Sequence, residues 1–111
     1  MTNTTNENRE HLENIRKELY AIQNGELINE EDEPVSLYDY FEDVLDIEYR
    51  IDSRKEYRSV SLMIACGGPN IYIDTGDHKI KLYWWSEYEE LYIDSSLCDE
   101  IDEIFEEYYN C

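Results

Sequence analysis

The side chains best suited to chemistry are a dense set of carboxylates near the end of the chain, in the segment 99–107, which has no Lys or Arg. Residues three or four apart on a helix lie about 5–6 Å from one another, so carboxylates at this spacing could imitate successive phosphates of a nucleic-acid strand. Like charges at i,i+4 also destabilise a helix by about 0.2–0.5 kcal/mol per pair. The alternative is a solvated helix face without a partner. The carboxylates of this segment that we predict to bind a basic partner are Asp99, Asp102, Glu103, Glu106 and Glu107.

A second acidic block lies earlier in the chain, because no positive charge occurs between Lys17 and Arg50. Segregation of the acidic residues into two blocks favours a shaped acidic surface over an evenly charged one. This block could supply a second row of carboxylates to the same partner. Its predicted partner-binding residues are Glu30, Glu31, Asp32, Asp39, Glu42 and Asp43.

Aromatic residues concentrate in one part of the predicted sheet, between Tyr83 and Tyr92. The strand alternation turns Trp84 toward the core and points Tyr83 and Trp85 to the opposite face. Because Trp and Tyr dominate the energetics of protein interfaces, we predict Tyr83 and Trp85 as anchors of a binding surface. Packing within the domain is the alternative.

The most unusual local string runs from Cys66 through two glycines and a proline to Asn70. Glycine allows positive φ and proline cannot donate to a β ladder, so the string predicts a turn between two strands. The alternative, a Cys66 nucleophile with His78 as base, lacks a recognised cysteine-enzyme motif. The spacing of Cys66, Cys98 and Cys111 predicts no disulfide framework, which favours a reducing cytoplasm and leaves a single Cys66–Cys98 bridge open.

The sequence indicates neither a metal site nor a cofactor site. With two His and no EF-hand loop, it has no ligand pattern for zinc or calcium. A carboxylate pair suited to glycoside hydrolysis is inevitable among 28 acidic residues and so carries no weight. We therefore expect no metal, no cofactor and no enzymatic activity.

Hydrophobic periodicity indicates the first of the elements that position these groups. Apolar residues at steps of three and four predict a helix over residues 7–23, with a capping box Thr4-x-x-Glu7 upstream and a stop at Asn24-Gly25. We predict that residues 1–6 are frayed and that the acidic stretch 25–34 is a connecting loop. The buried face of this helix is predicted to consist of Leu12, Ile15, Leu19 and Ile22.

The remaining elements are a short helix, a sheet and a last helix. Ser36 and Asp39 are predicted to cap the short helix. From Leu45 the apolar period changes to two, which predicts an antiparallel meander. Ser96-x-x-Asp99 is predicted to cap the last helix. The residues predicted to face the core are Leu37, Tyr40, Phe41 and Val44 near the short helix, Leu45, Ile47, Tyr49 and Ile51 in the first strand, and Leu97, Ile101, Ile104, Phe105 and Tyr108 in the last helix.

Length and charge limit the possible folds and functions. The 111 residues allow one α+β domain, a four- or five-stranded antiparallel sheet with N-terminal and C-terminal helices packed on one face. The net charge of −19, from 28 Asp+Glu against 9 Lys+Arg, excludes direct binding to nucleic acid and to anionic membranes. No stretch approaches the roughly 18 apolar residues of a membrane span, and the start lacks the pattern of a signal peptide, so we expect a cytoplasmic location.

A small, strongly acidic, tyrosine-rich α+β chain without a catalytic motif resembles the phage and mobile-element proteins that antagonise bacterial defence. These include the DNA-mimic anti-CRISPR and anti-restriction proteins. The resemblance covers the whole chain and rests on its composition and on the acidic stripes Glu30–Glu48 and Asp99–Glu107. It implies an inhibitor that acts in the cytoplasm of a bacterial host cell and occupies the basic nucleic-acid channel of a CRISPR effector or another defence nuclease.

Alternatives to this inhibitor remain open from the sequence. An immunity protein or antitoxin that neutralises a basic toxin nuclease would need the same polyanionic face. An enzyme using Cys66 or a carboxylate pair belongs to a different class. The first expectation is anti-CRISPR activity, followed by anti-restriction activity.

Overall fold

The structure, a computed structural model, describes residues 4–111. Its elements are α1 (Thr4–Gln23), α2 (Leu37–Tyr40), a 3₁₀ turn (Phe41–Asp43), β1 (Asp46–Ile51), β2 (Tyr57–Ala65), β3 (Asn70–Asp74), β4 (Lys79–Trp84), β5 (Glu87–Tyr92) and α3 (Ser95–Tyr109). The strands form one antiparallel sheet in the order β1-β2-β3-β4-β5. The helices α1 and α3 pack on one face of it. The predicted α+β domain is confirmed, with five strands.

Helix α1 begins earlier than the sequence predicts. Thr4 is already helical, so the prediction that Thr4 caps the helix is wrong. The frayed start was predicted over residues 1–6, of which residues 1–3 lie outside the described residues and residues 4–6 are helical. The physical reason is that no helix-breaking residue lies between Thr4 and the apolar repeat, so the helix extends upstream of its buried face.

Helix α1 ends at Gln23, directly before the predicted stop at Asn24 and Gly25. This glycine has a φ of +72°, in the left-handed region that a Cβ disfavours. Its N–H donates to the carbonyl of Ile22 at 3.1 Å, and the N–H of Glu26 donates to the carbonyl of Ala21 at 2.8 Å. These bonds pair carbonyls that the last turn of a helix leaves unsatisfied.

The loop between α1 and α2 folds back on itself. Ile28 and Pro34 form an isolated antiparallel bridge. Within the loop, Asn29 Oδ1 accepts hydrogen bonds from the N–H groups of Glu31 at 2.8 Å and Glu33 at 3.0 Å. A side-chain amide therefore orders the backbone of this acidic tip.

The capping box predicted for α2 is confirmed. The N–H of Asp39 donates to Ser36 Oγ, and the N–H of Ser36 donates to Asp39 Oδ2, both at 3.1 Å. After α2, Phe41 packs edge-on against Phe105 of α3, with ring centroids 5.6 Å apart. This contact holds the short helix beside α3. The residues that pack in or against the core here are Leu37, Tyr40, Phe41 and Val44, as predicted.

The core lies between the helices and the sheet, and its strand residues alternate as predicted. Two predicted core positions are wrong, because Leu45 and Ile51 are exposed. Leu45 precedes β1, an edge strand, and the register of β1 against β2 shifts at Ile51. The fully buried side chains include Leu12 and Leu19 of α1, Leu62, Ile73, Ile80 and Leu82 of the sheet, and Leu97, Ile101 and Phe105 of α3.

Helix α3 departs from the prediction at both ends. Asp94, not Ser96, is the N-cap, and its Oδ1 accepts a hydrogen bond from the N–H of Leu97 at 2.9 Å. Tyr108 was predicted in the buried stripe but is 53% exposed. It lies in the last turn of the helix, where its ring meets the margin of the core rather than its interior. The other stripe residues, Leu97, Ile101, Ile104 and Phe105, are buried as predicted.

No described element covers the other face of the sheet, which carries a charge network. Asp74 is buried there and accepts two 2.7 Å hydrogen bonds from Arg50 and one of 3.2 Å from Lys81. Burial alone would raise the pKa of Asp74, but the hydrogen bonds hold it well below its usual range. Gly76 makes room for the network, because a Cβ there would lie 2.9 Å from Arg50 Nη1 and 2.8 Å from Ser59 Oγ.

Two arginines of α1 lie along the outer edge of β5. Arg9 donates to the carbonyl of Glu90 at 3.2 Å, and Arg16 donates to the carbonyl of Tyr92 at 3.1 Å. These bonds occupy backbone acceptors that an edge strand would otherwise offer to another chain. Both arginines are therefore engaged at the β5 edge of the sheet, which is the opposite edge from β1.

Candidate functional site

Helix α3 has a buried side and an acidic side. At 3.6 residues per turn, its five buried residues fall within one arc of the helix. From residue 99 to residue 107, every position outside that arc is acidic. We call the following six carboxylates the acidic arc: Asp99, Glu100, Asp102, Glu103, Glu106 and Glu107.

The acidic arc has the charge density of a nucleic acid. Six carboxylates in the segment 99–107 occupy about 13 Å of helix axis, or one charge per about 2.2 Å. A single DNA strand carries one charge per about 3.4 Å, and the duplex one per about 1.7 Å. The arc therefore lies between these two densities.

The acidic arc receives no counter-charge from the described part of the chain. No Lys or Arg among residues 4–111 forms a salt bridge with any of its members. The last turn of α3 has no basic residue, so the helix dipole adds to the repulsion felt by Glu106 and Glu107. The arc is a local source of instability that the fold tolerates.

Two tyrosines tie the margins of the acidic arc to neighbouring elements. Tyr57 of β2 donates to Asp102 Oδ1 at 2.6 Å, and Tyr38 of α2 donates to Glu107 Oε2 at 2.7 Å. Burial and then the bond to Asp102 raise the pKa of Tyr57. The bond to Glu107 is the main reason that the pKa of Tyr38 is raised. The arc members that accept no hydrogen bond from another side chain of residues 6–111 are Asp99, Glu100, Glu103 and Glu106.

A groove of about 310 Å³ runs along one margin of the arc, where α2 and the end of α1 meet α3. Tyr38 and Tyr108 are 48% and 53% exposed and meet edge-on at 6.2 Å between ring centroids. Sequence reasoning did not single out either tyrosine as a candidate binding residue. The available signal was that Tyr108 ends the apolar stripe in the last turn of the helix. The groove is lined by Ile22, Gln23, Leu37, Tyr38, Glu100, Glu103, Ile104 and Glu107.

The second acidic block divides among three places. Asp39 is engaged in the capping box of α2. Glu42 and Asp43 are exposed on the 3₁₀ turn, where Asp43 lines a different groove, against α1 and the sheet. The residues at the tip of the preceding loop, Glu30, Glu31 and Asp32, are exposed. Within this stretch, α2 contacts the arc through the bond from Tyr38 to Glu107.

Tyr83 and Trp85 lie away from the acidic arc. Tyr83 is on the uncovered face of the sheet, as predicted, while Trp84 packs against the core. Trp85 is not a strand residue, because β4 ends before it and it occupies the β4–β5 turn with a φ of +57°. It is 88% exposed. This turn is at the opposite end of the sheet from the β1–β2 turn, where Tyr109 of α3 donates to the carbonyl of Lys55.

The structure does not assemble Cys66 and His78 as a nucleophile and base. Cys66 follows β2 and His78 precedes β4, at opposite ends of β3, which is five residues or about 17 Å long. His78 Nδ1 instead lies 3.5 Å from Ser95 Oγ. All three cysteines are free thiols, so the Cys66–Cys98 bridge is not formed.

The described residues hold neither a metal-binding group nor a membrane-spanning helix. Nowhere in residues 4–111 do three His, Cys, Asp or Glu side chains group in a way that could hold a metal ion. Over the same range, no helix combines the length and apolar content needed to cross a membrane.

No protein-family model, curated protein or solved structure matches the chain.

Proposed function

We propose that this chain is a protein inhibitor of a bacterial defence nuclease, first of the CRISPR class and second of the restriction class. The acidic arc of α3 would occupy the basic channel through which the target binds DNA or RNA. One observation carries the proposal: six carboxylates share one side of a helix, and no cation of the described chain pairs with them.

The energetics support a surface kept for a partner. Unpaired like charges on a helix reduce stability, and a basic channel would supply the counter-charge that the chain lacks. Complementary charge accelerates association, and the effect weakens as salt screens it. Charge alone supplies little desolvated contact, so Tyr38 and Tyr108 are the candidate anchors beside the arc.

Competition with target DNA tests the proposal. Purified CRISPR effector complexes and restriction endonucleases are each titrated with the chain while binding and cleavage of labelled DNA are measured. We expect stoichiometric loss of DNA binding by one of these nucleases at low salt, with weaker inhibition at high salt.

A matched pair of variants locates the binding surface. The arc variant Asp99→Asn/Glu103→Gln/Glu106→Gln removes three unpaired charges. At about 0.5 kcal/mol for each exposed charge, its affinity for the nuclease should fall about tenfold. The control variant carries the same charge change on α1, as Glu7→Gln, Glu10→Gln and Glu13→Gln, and should bind like the wild-type chain.

Two results would overturn the proposal. One is a chain that leaves DNA binding by every nuclease in the panel intact. The other is an arc variant as potent as the control variant, since inhibition would then depend on total charge or on another surface.

A further inference from the structure

The two edges of the sheet differ in how their backbone is covered. At the β5 edge, the carbonyls of Glu90 and Tyr92 accept hydrogen bonds from Arg9 and Arg16 of α1. At the opposite edge, β1 pairs with β2 alone, and no side chain of residues 6–111 forms a hydrogen bond with the β1 backbone. An edge strand with unpaired N–H and C=O groups is a template on which another chain can add a strand.

The register of the sheet identifies the unpaired groups of β1. The N–H of Thr75 donates to the carbonyl of Val60 at 3.0 Å, so the backbone groups of Val60 point toward β3 and away from β1. Val60 lies opposite Tyr49, and Leu62 lies opposite Ile47. Because backbone groups of alternate residues point to opposite sides of a strand, the N–H and C=O groups of Ile47 and Tyr49 point outward from the sheet edge.

The side chains of β1 determine what kind of strand fits this edge. On the helix side of the sheet, Ile47 and Tyr49 pack against the core and are partly buried. On the uncovered face, Asp46 and Glu48 are exposed, and neither forms a salt bridge within residues 6–111. Residues directly opposite one another in an antiparallel pair lie on the same face. An added strand would therefore meet apolar side chains on one face and carboxylates on the other.

We propose that the outer edge of β1 pairs with an extended segment of a partner protein in which basic and apolar residues alternate. The segment adds to the sheet as an antiparallel strand. Its apolar residues lie opposite Ile47 and Tyr49 and bond to their backbone groups, and its basic residues lie opposite Asp46 and Glu48. Charge selects this partner, because opposite charges directly across a ladder stabilise it and like charges destabilise it.

The same charges disfavour a second copy of this chain at the β1 edge. Arg50 is the one cation of β1, and it is already bonded to the buried Asp74. A second β1 would therefore bring two more unpaired carboxylates, and no unengaged cation, to Asp46 and Glu48. The repulsion between two chains of net charge −19 adds to this local cost.

This inference goes beyond the proposed function and does not rest on it. The acidic arc lies on α3 and contributes no residue to the β1 edge. The test below uses a peptide and no nuclease, so its failure would leave the proposed inhibitor untouched, and failure of the inhibitor would leave the β1 edge untouched.

A synthetic peptide tests the pairing. The probe is a blocked peptide of about seven residues, enough to span β1, in which Val and Lys alternate. Its binding to the full chain is measured by calorimetry at about 150 mM salt, where a Debye length of about 8 Å screens distant attraction to the polyanion. We expect one peptide to bind per chain. A peptide of the same composition with its lysines grouped at one end should bind at least about tenfold more weakly, because it cannot match both faces of β1.

Methylation of the peptide backbone separates strand pairing from charge attraction. In the antiparallel arrangement, the Val N–H groups point toward β1 and the Lys N–H groups point away from it. N-methylation of the Val residues should therefore abolish binding, while N-methylation of the Lys residues should leave it nearly unchanged. In the complex, amide hydrogen exchange of Ile47 and Tyr49 should slow, while that of Glu48, whose N–H faces β2, should change little.

A matched pair of variants locates the contact on the protein. Asp46→Asn/Glu48→Gln removes the two unpaired carboxylates of β1 and should weaken peptide binding about fivefold. Both side chains are exposed, so circular dichroism should stay native. The control Asp99→Asn/Glu103→Gln removes the same charge from α3 and should bind the peptide like the wild-type chain.

Several results would overturn the inference. A peptide that does not bind would do so, as would a Val-methylated peptide that binds as well as the unmodified one. Equal binding by the β1 variant and the α3 control would show attraction to total charge rather than to this edge. A chain that dimerises without peptide, with slow exchange at Ile47 and Tyr49, would assign the edge to a second copy instead.

Discussion

Neutralising three carboxylates of the acidic arc should make the domain more stable. The arc variant Asp99→Asn/Glu103→Gln/Glu106→Gln changes residues that accept no side-chain hydrogen bond in the described part of the chain and face away from the core. It leaves intact the bonds from Tyr57 to Asp102 and from Tyr38 to Glu107. Because no packing or bonding is lost, the removal of repulsion should determine the sign of the change.

The expected gain follows from the positions of the charges. The three substitutions remove every like-charge pair, three or four residues apart, that includes residue 99, 103 or 106. Glu103 pairs in this way with residues 99, 100, 106 and 107, and the two other pairs are 99–102 and 102–106. Six such pairs at about 0.2–0.5 kcal/mol each set an upper range of about 1–3 kcal/mol. Solvent screening of exposed side chains reduces this range, so we expect a gain of about 1–2 kcal/mol. For a domain of this size that is about 4–9 °C in Tm.

Thermal and urea unfolding at low and high salt measure the gain. The matched control neutralises Glu7, Glu10 and Glu13, which lie in the N-terminal half of α1, where the helix dipole favours anions, and one of which pairs with Arg9. The control should be unchanged or slightly less stable, although both variants lose the same charge. The gain of the arc variant should shrink as salt is added. An arc variant less stable than wild type, or a gain equal to that of the control, would refute the idea that local repulsion on α3 limits stability.

Three further predictions concern single residues. Since hydrogen bonds lower the pKa of Asp74, the stability contributed by its ionised form is fully present above the unfolded-state pKa of about 4 and is lost progressively as the pH falls from there toward the lowered pKa. Asp74→Asn should therefore lower the free energy of unfolding by about 2–3 kcal/mol at pH 7, and its difference from wild type in urea unfolding should shrink below pH 4. Trp85→Gly should raise that free energy by about 1 kcal/mol, because glycine adopts the φ of +57° without strain. Burial raises the pKa of Cys98 to about 12, so Ellman's reagent should titrate two thiols in the folded chain and three in urea.

Local sequence patterns predicted most of the fold because most of its elements depend on local chemistry. The period of three and four in α1, the glycine that ends it and the reciprocal cap of Ser36 and Asp39 each involve residues close together in the chain. The alternation of apolar and polar residues from β2 to β4 reflects one buried and one uncovered sheet face.

The corrections arose where the arrangement of whole elements, rather than the local pattern, decides the outcome. Asp94 and Ser96 are both suitable N-caps, and the end of β5, only two residues before Asp94, fixes where α3 begins. Tyr108 continues the apolar period, but the core ends before it. The sequence alone does not place Tyr38 in the groove beside α3, since α2 lies there through the packing of Phe41 on Phe105.

The distribution of cations sharpens what the acidic composition means. Arg50, Lys79 and Lys81 all pair on the uncovered sheet face, and Arg9 and Arg16 bind β5, so these cations are used where they hold the sheet together. None of them reaches the acidic arc. A chain selected only for solubility would gain stability from a single Lys on α3, at an i,i+4 position from one of the carboxylates. The lack of any paired cation on α3, rather than the total of −19, is therefore the property on which the proposed basic partner at α3 rests.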